Sequence, residues 1–319
     1  MILSGFRNTK LFIDAANRIS SYVHHTPLLT CETIDRMCGC EIVFKCEHLQ
    51  KAGAFKSRGA ANAVFSLIES GFQGAVATHS SGNHAQALSR VALYAGIKAH
   101  VVMPENSLTS KINATRDYLA QITFCTPTLE ARETTLASVM AETGAVEIHP
   151  YDNRDIIAGQ ATCAMEILNE IQPDFILAPV GGGGLLSGTA LAAAHFGNHV
   201  QVIGAEPAGA NDAWQSFKAG YLIPSVNPNT IADGLLTSLG QLNFPVIQQH
   251  VQDILLAGER EIIDAMRLLW ERVKIMAEPS SAVPLAVVKA NPDIFHNKKV
   301  CIIISGGNAD LDHLPWTKE

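Results

Sequence analysis

The sequence lacks any stretch approaching the ~20 uninterrupted apolar residues that a membrane-spanning helix needs. Its first 14 residues have no long apolar core followed by a small-residue cleavage site, so no secretory signal is expected. There is no basic excess: 23 Lys and Arg stand against 30 Asp and Glu, a formal net charge of −7. Without that excess there is no counterion release to drive non-specific nucleic-acid binding. Structural-zinc spacing is missing too. Seven cysteines are present, but Cys38-Gly39-Cys40 is not a CxxC pair, so reduced thiols in a cytoplasmic protein are expected. The one glycine run, Gly181 to Gly184, has neither the GxGxxG spacing of a dinucleotide fingerprint nor the GK[ST] ending of a P-loop.

What remains is a chain of 319 residues, 47% hydrophobic, long enough for one large domain or two smaller ones sharing a cleft. From about residue 60 onward short apolar runs alternate with helical spacing. Residues 75–78, 99–102, 122–125 and 145–148 read as strands, with helices at 57–70, 85–94, 110–119 and 129–142. Gly96 and Gly144 follow two of these helices, where a left-handed C-cap is expected. The pattern resumes with strands at 175–180, 200–205, 254–256 and 300–304 and helices at 159–171, 185–196, 259–273 and 281–289. Residues 219–230, rich in Pro and Asn, read as an irregular surface loop. Such alternation predicts an α/β protein of parallel strands with crossover helices. Three polar or glycine-rich segments, 78–83, 180–185 and 304–308, are expected at strand-to-helix turns, where parallel sheets bind ligands.

Each segment has a chemical and a plain reading. Gly181, Gly182, Gly183 and Gly184 follow a strand and precede a helix, so backbone N–H groups can turn toward an anion, a phosphate above all; the plain reading is a tight turn. Lys56 follows the apolar Phe55, and burial would lower the amine's pKa and make it nucleophilic; the plain reading is a solvated charge at a helix start. Ser80-Ser81-Gly82-Asn83-His84 opens a helix with hydroxyls and free N–H groups suited to a carboxylate. There, Ser81 or Asn83 is equally an N-cap, and His84 equally a satisfied structural histidine. Ser305 presents a hydroxyl that, against a pyridine nitrogen, leaves the ring largely unprotonated; it also reads as an N-cap. Glu206 and Asp212, with loop carbonyls between them, match the oxygen ligands of Mg²⁺ or Ca²⁺, although surface carboxylates are common.

Taken together, these segments resemble the fold type II pyridoxal phosphate enzymes of the serine racemase and threonine/serine dehydratase family. The likeness runs nearly end to end: His25-Thr26-Pro27-Leu28, Lys45-Cys46-Glu47, Ala158-Gly159-Gln160, Ile231-Ala232-Asp233-Gly234, Glu278-Pro279 and Ser305-Gly306-Gly307-Asn308 all match. The resemblance implies a tryptophan synthase β-like architecture of two open, twisted, mostly parallel sheets with the cofactor in the interdomain cleft. Residues 1–70 and 152–319 would form the large domain, and residues 71–151 a small one closing over substrate. It implies that Lys56 is the Schiff-base lysine and the base on one face of Cα. It further implies that Phe55 packs by the cofactor ring, Asn83 bonds its phenolic oxygen, Gly181 to Gly184 hold its phosphate and Ser305 meets its ring nitrogen. Ser80 to His84 would receive the substrate carboxylate. Glu206, the Ala210 carbonyl and Asp212 would hold Mg²⁺, Ca²⁺ or Mn²⁺. A homodimer, a small amino-acid substrate and a nucleotide activator also follow from the resemblance.

Within that family Ser81 is informative. Simple threonine dehydratases commonly have Ala there, whereas serine racemases place a serine that protonates the opposite face of Cα. Inversion needs acid–base groups on both faces, and Lys56 serves one. The expected activity is serine racemisation with elimination of water from serine or threonine. The alternatives are a threonine dehydratase, or a 3-hydroxyaspartate dehydratase whose second carboxylate needs a cation such as Arg132. Outside the class, an anion- or nucleotide-binding module would use the same glycine turn; a catalytically silent paralogue is disfavoured because Lys56, Asn83 and Ser305 are all present. The chain departs from the family at Ala54, Ser57 and Ser281, where Ser, Ile and Gly or Ala are usual. Tyr151 and Asp152 occupy the stretch that faces the substrate side chain in relatives. So little chain follows Ser305 that no regulatory domain, and hence no feedback control by isoleucine, is expected.

Overall fold

Near-continuous apolar runs make strands buried on both faces, and such strands pair in parallel with helices as crossovers. The computed structural model, which describes residues 2–317, follows that rule with one exception. In chain order the strands are β1 (Leu28–Thr30), β2 (Glu41–Lys45), β3 (Val76–His79), β4 (Ala99–Pro104), β5 (Gln121–Cys125), β6 (Val146–Glu147), β7 (Phe175–Pro179), β8 (Gln201–Pro207), β9 (Asp253–Ala257) and β10 (Lys299–Ile303). They form a six-stranded sheet, β1-β2-β10-β7-β8-β9, and a four-stranded sheet, β5-β4-β3-β6. Among the described residues only strand β1 runs antiparallel, against β2.

Both sheets reverse their winding, and this places the site. In the large sheet β7, β8 and β9 step outward one way, and the chain then returns to lay β10 on the other side of β7. In the small sheet β3, β4 and β5 step one way, and β6 returns to the other side of β3. A crevice opens outside the carboxyl ends of strands at such a reversal. The segments leaving β7 and β10, and those leaving β3 and β6, are the ones singled out by their chemistry or by the family likeness.

Alternate side chains of the large sheet feed two cores. Phe175, Leu177, Val300, Ile302 and Ile304 pack on one face with the helix Pro279–Ala290, while Ile176, Ala178, Cys301 and Ile303 pack on the other with Leu185, Leu186 and Ala190. Gly96 and Gly144 close their helices at φ of 72° and 68°, as their positions imply. The helix expected from residue 159 begins earlier, at Arg154, because the Asn153 side chain accepts the N–H groups of Asp155 (2.8 Å) and Ile156 (3.1 Å). The helix expected over 259–273 is α-helical to Leu268, then passes through one π turn, Leu269–Val273.

One expectation fails. Residues 304–308 are not a strand-to-helix turn, and Ser305 is not an N-cap. The segment stays extended because Ser305 O accepts the Phe55 N–H (2.9 Å) and Gly307 N donates to Gly53 O (3.0 Å), so it lies along the residues just before Lys56. All seven cysteines are free thiols. Among the described residues no helix is long and apolar enough to cross a membrane.

Candidate active site

The helix Lys56–Glu69 starts where the chain, paired with residues 305–307, can no longer extend. This puts Lys56 at the carboxyl edge of the large sheet. Its amine is partly covered and donates to the Pro150 carbonyl at 2.8 Å, just beyond β6. It lies 5.2 Å from the Phe55 ring centroid and 6.0 Å from that of Tyr151. Burial pushes it down to about 8, against the opposing pull of Glu278. A lysine in this state supplies both a base and a nucleophile near neutral pH.

Asn83 and Ser305 join Lys56 through residues that the sequence did not mark individually. Glu278, 5% exposed, accepts from Asn83 Nδ2 at 2.8 and 3.1 Å and from the Asn308 N–H at 3.1 Å. Asn308 Nδ2 in turn donates to Asn83 Oδ1 (2.8 Å) and to the Ala52 carbonyl (2.9 Å). A carbonyl only accepts, so Ala52 O orients the Asn308 amide, and Asn308 Nδ2 in turn fixes which end of the Asn83 amide is Oδ1. Burial, aided by Asp233, raises Glu278 to about 7. Ser305 Oγ lies 2.9 Å from Ser281 Oγ. The signals for Glu278 and Asn308 were a Glu-Pro helix start and the tail of a glycine pair, neither of which announces a hub.

Between β7 and the helix Gly184–Phe196, Gly183 adopts φ +91° and all four glycines are buried. A Cβ on Gly182 would meet the Tyr151 ring at 2.3 Å, one on Gly181 the Leu235 Cα at 2.9 Å, and one on Gly183 the Leu239 Cδ1 at 2.6 Å. None of the four amide N–H groups has an acceptor among the described residues. Such a row of unspent donors at a helix start fits a phosphate. Tyr151 therefore spans the distance between the glycine turn and Lys56.

The Ser80–His84 loop leaves β3 beside these groups. The N-cap of its helix is Gly82, with no side-chain cap, so neither Ser81 nor Asn83 plays that part. The Ser81 hydroxyl is half-buried and bonds to no described residue. His84 turns inward: its Nε2 meets the Ile148 carbonyl at 3.0 Å, and burial pushes it down to about 3. A carbonyl only accepts, so Nε2 carries the proton and Nδ1 is a buried acceptor without a partner.

His79, Glu147 and His149 bring one ligand-type atom each within 4.8 Å of the others. The parallel pairing of Ala77 with Glu147 puts all three side chains on one face of the small sheet. However, His149 Nδ1 accepts the Asp152 N–H at 2.8 Å and the Tyr151 N–H at 3.3 Å, which puts the ring proton on Nε2. That nitrogen is then a donor rather than a metal ligand. The neighbouring Arg132 helps depress His79 and has a buried, unpartnered Nε.

Glu206 and Asp212 lie behind the glycine turn. Both Glu206 oxygens cap the helix Asp212–Ala219, accepting from Ala213 (2.9 Å) and Trp214 (2.7 Å). Asp212 Oδ2 accepts from Leu239 (3.0 Å), the residue that touches Gly183, while its Oδ1 is buried without a partner. Burial raises Glu206 to about 8 and Asp212 to about 6. Two buried carboxyls, one with an orphaned oxygen and the Ala210 residue between them, fit a divalent cation.

Residues 19–306 match the family described as pyridoxal-phosphate dependent enzymes. The chain is 46% identical over 305 residues to the beta-hydroxyaspartate dehydratase of Paracoccus denitrificans, covering 95% of this chain and 97% of that protein. It is 47% identical over 309 residues to the serine racemase of Dictyostelium discoideum, covering 94% of each. The structure of maize serine racemase superposes with a TM-score of 0.93 at 41% identity, covering 96% of this chain and 94% of that one.

Proposed function

The chain belongs to the pyridoxal-phosphate dependent enzyme family, and from that premise we propose that it racemises serine and eliminates water from serine, threonine or a related β-hydroxy amino acid. The observation that carries the proposal is the Lys56 amine, held near neutrality between Phe55, Tyr151 and the Pro150 carbonyl. In this reading Lys56 would hold the cofactor covalently, the N–H groups of Gly181 to Gly184 its phosphate, Asn83 its phenolic oxygen and Ser305 its ring nitrogen. Phe55 would pack beside the ring. Bound there, pyridoxal phosphate supplies an electron sink that acidifies the Cα–H of an amino acid.

The protein's own part is placement and proton movement. Ser80, Ser81, Gly82, Asn83 and the His84 N–H, at an uncapped helix start, would bind the substrate carboxylate. Lys56 takes or returns the Cα proton on one face. Ser81, with a hydroxyl free of partners among the described residues, serves the other. Loss of the β-hydroxyl as water, followed by hydrolysis, converts serine to pyruvate and ammonia. Residues 71–151 would close over substrate as a small domain; Lys111 on its helix already pairs with Asp233 across the cleft.

The test is one incubation of the holoenzyme with L-serine and Mg²⁺, following D-serine and pyruvate together. Both products should form, and Ser81→Ala should cut D-serine formation about 10²-fold while pyruvate formation persists. Pyruvate alone from the unaltered enzyme would overturn the racemase reading. A second reading, 3-hydroxyaspartate dehydration, is favoured by the buried, unpartnered Nε of Arg132 beside His79. Rapid consumption of 3-hydroxyaspartate with serine nearly inert would establish it.

We assign the cation to Glu206, the Ala210 carbonyl and Asp212, with Mg²⁺ the natural occupant and Ca²⁺ or Mn²⁺ as substitutes. Both carboxyls have folded pKa values above their unfolded ones. Without a cation, their contribution to stability is complete below about pH 4 and is lost as pH rises through about 6 and then about 8. Chelated protein should therefore melt progressively lower across that window. Mg²⁺ at 100 times its dissociation constant should restore about 2.7 kcal/mol, and Asp212→Asn should remove that response. A melting temperature indifferent to Mg²⁺ at pH 8 would overturn the assignment. The proposed homodimer and nucleotide activator rest on the family likeness alone.

A further inference from the structure

We propose that Cys38 and Cys40 form a redox-active dithiol, which a hydroperoxide converts to a Cys38–Cys40 disulfide. The pair belongs to none of the segments that carry the family likeness. It lies at the amino edge of the large sheet, opposite the edge that holds Lys56.

The geometry comes from one glycine. Cys38 ends the helix Glu32–Cys38 and Cys40 leads into β2, while Gly39 between them is left-handed, with φ 68° and ψ 25°. The spacing of two flanking Cα atoms depends on the φ and ψ of the residue between, and a left-handed turn mirrors a right-handed helical one. Helix dimensions put such atoms about 5.4 Å apart, well inside the range of about 4.4–6.8 Å that a disulfide bridges. An extended residue at position 39 would place them at about 6.7 Å, near the limit. Both side chains enter one apolar cluster, with Ile34, Ile42 and Phe295, and the Cys40 thiol donates a hydrogen bond to the Cys38 sulfur. The turn is held from outside, since Gly39 donates to Asp35 O at 2.8 Å and its carbonyl accepts from Asn297 at 2.9 Å. No third ligand joins the two sulfurs: among the described residues the metal-type cluster is His79, Glu147 and His149. That favours oxidation over metal binding.

The two thiols have different parts. The hydrogen bond from Cys40 lowers the Cys38 thiol, against burial and with help from Lys289, whereas the same bond and burial raise Cys40. A lowered thiol beside a cation is the nucleophile. Cys38 sulfur attacks one peroxide oxygen, the O–O bond breaks, and the Cys38 proton leaves with the other oxygen as an alcohol, or as water from hydrogen peroxide. Cys40 sulfur then attacks the sulfenic acid on Cys38, forming S–S and breaking S–O, and its proton leaves with the hydroxide as water. Two thiols lose two hydrogens and two electrons, and the peroxide gains them. A groove of about 550 Å³ lined by Gly39, Cys40, Asn297 and Lys298 opens beside the turn and gives the oxidant its approach.

The test is hydrogen peroxide treatment of reduced holoenzyme freed of reductant, then alkylation of the remaining thiols and tryptic digestion of the denatured protein. Cleavage after Arg36 and Lys45 releases residues 37–45, which contain these two cysteines and no others. That peptide should escape alkylation, weigh two hydrogens less than the dithiol, and accept two alkyl groups after reduction. Met37 in the same peptide gains an oxygen when oxidised and is told apart by mass. In Cys40→Ser, Cys38 should stop at the sulfenic acid and be trapped by dimedone. In Cys38→Ser, Cys40 should react with peroxide about tenfold more slowly. A peptide that alkylates fully after peroxide, a bridge from either cysteine to a third, or equal rates in the two variants overturns the inference. Cys38→Ala and Cys40→Ala remove the same thiols should a serine variant fold poorly.

Discussion

Lys56→Ala should abolish D-serine and pyruvate formation together, by at least about 10³-fold, because it removes a group that acts in both reactions. The purified variant should also fail to retain cofactor colour that borohydride treatment fixes to the protein. The reason is local. A solvated lysine holds a proton almost always at neutral pH, whereas an amine lowered to about 8 is uncharged in about a tenth of molecules at pH 7. Lys56→Arg sharpens the test: it keeps a cation beside Glu278 and the Pro150 carbonyl but supplies neither a base nor a nucleophile, since arginine does not deprotonate in proteins. Both variants should be inactive. An active arginine variant would mean that position 56 provides charge alone, and full turnover by the alanine variant would sink the proposed chemistry. Racemisation and elimination should fall in parallel here, in contrast to their separation in Ser81→Ala.

What could be read from the sequence and what could not divides by distance along the chain. Strands such as β7 and β10 are apolar runs, Gly96 and Gly144 punctuate their helices, and the four glycines of the turn after β7 are adjacent; each signal is local and each was legible. The Asn83–Glu278 bond joins residues 195 positions apart, and Ser281 meets Ser305 across 24. No periodicity or spacing reports such a pairing. The same applies to β6: its two residues read as one more strand, but its return to the far side of β3 brings Pro150 to Lys56 and Tyr151 to Gly182. For His84 the polar loop left ligand contact and a structural place equally open; the side chain turns inward and bonds Ile148 through Nε2, with Nδ1 buried and unpartnered. The Ser305 segment read as a strand-to-helix turn, but it stays extended and pairs antiparallel with residues 53–55, while its two glycines leave room for Glu278 and Met276.

The largest stability effect should come from a group beneath Lys56. Arg58, two residues on from Lys56, is fully buried and pairs with Glu47 at 2.7 Å and Glu166 at 2.6 Å; Lys45, also fully buried, pairs with Glu166 at 2.6 Å. Two cations and two carboxylates balance, and the Thr162 hydroxyl and the His24 and Thr26 carbonyls accept further protons from Arg58 and Lys45. Arg58→Met fills much of the same volume but strands Glu47, which is 0% exposed, without its partner. Removing one member of a buried ion pair costs about 3–5 kcal/mol, because the remaining charge stays desolvated. A fall of the urea midpoint corresponding to that loss is expected. Glu47→Gln added to Arg58→Met should cost less than the sum of the two single changes, since it neutralises the stranded carboxylate; strict additivity would show that the two do not act as a unit. The cluster also has a pH signature. Glu166 is held below its ordinary value by Arg58 and Lys45, which outweigh the desolvation that opposes them. Its contribution is thus present above the unfolded carboxylate range and lost as pH falls through its lower folded value. That is the reverse of the cation-free Glu206 and Asp212 pair, so acid should weaken the seat of the Lys56 helix while a rise through about pH 6 and then about 8 weakens the region behind the glycine turn. Stability in the chelated protein should therefore peak in between, and Mg²⁺ should extend the plateau only on the alkaline side.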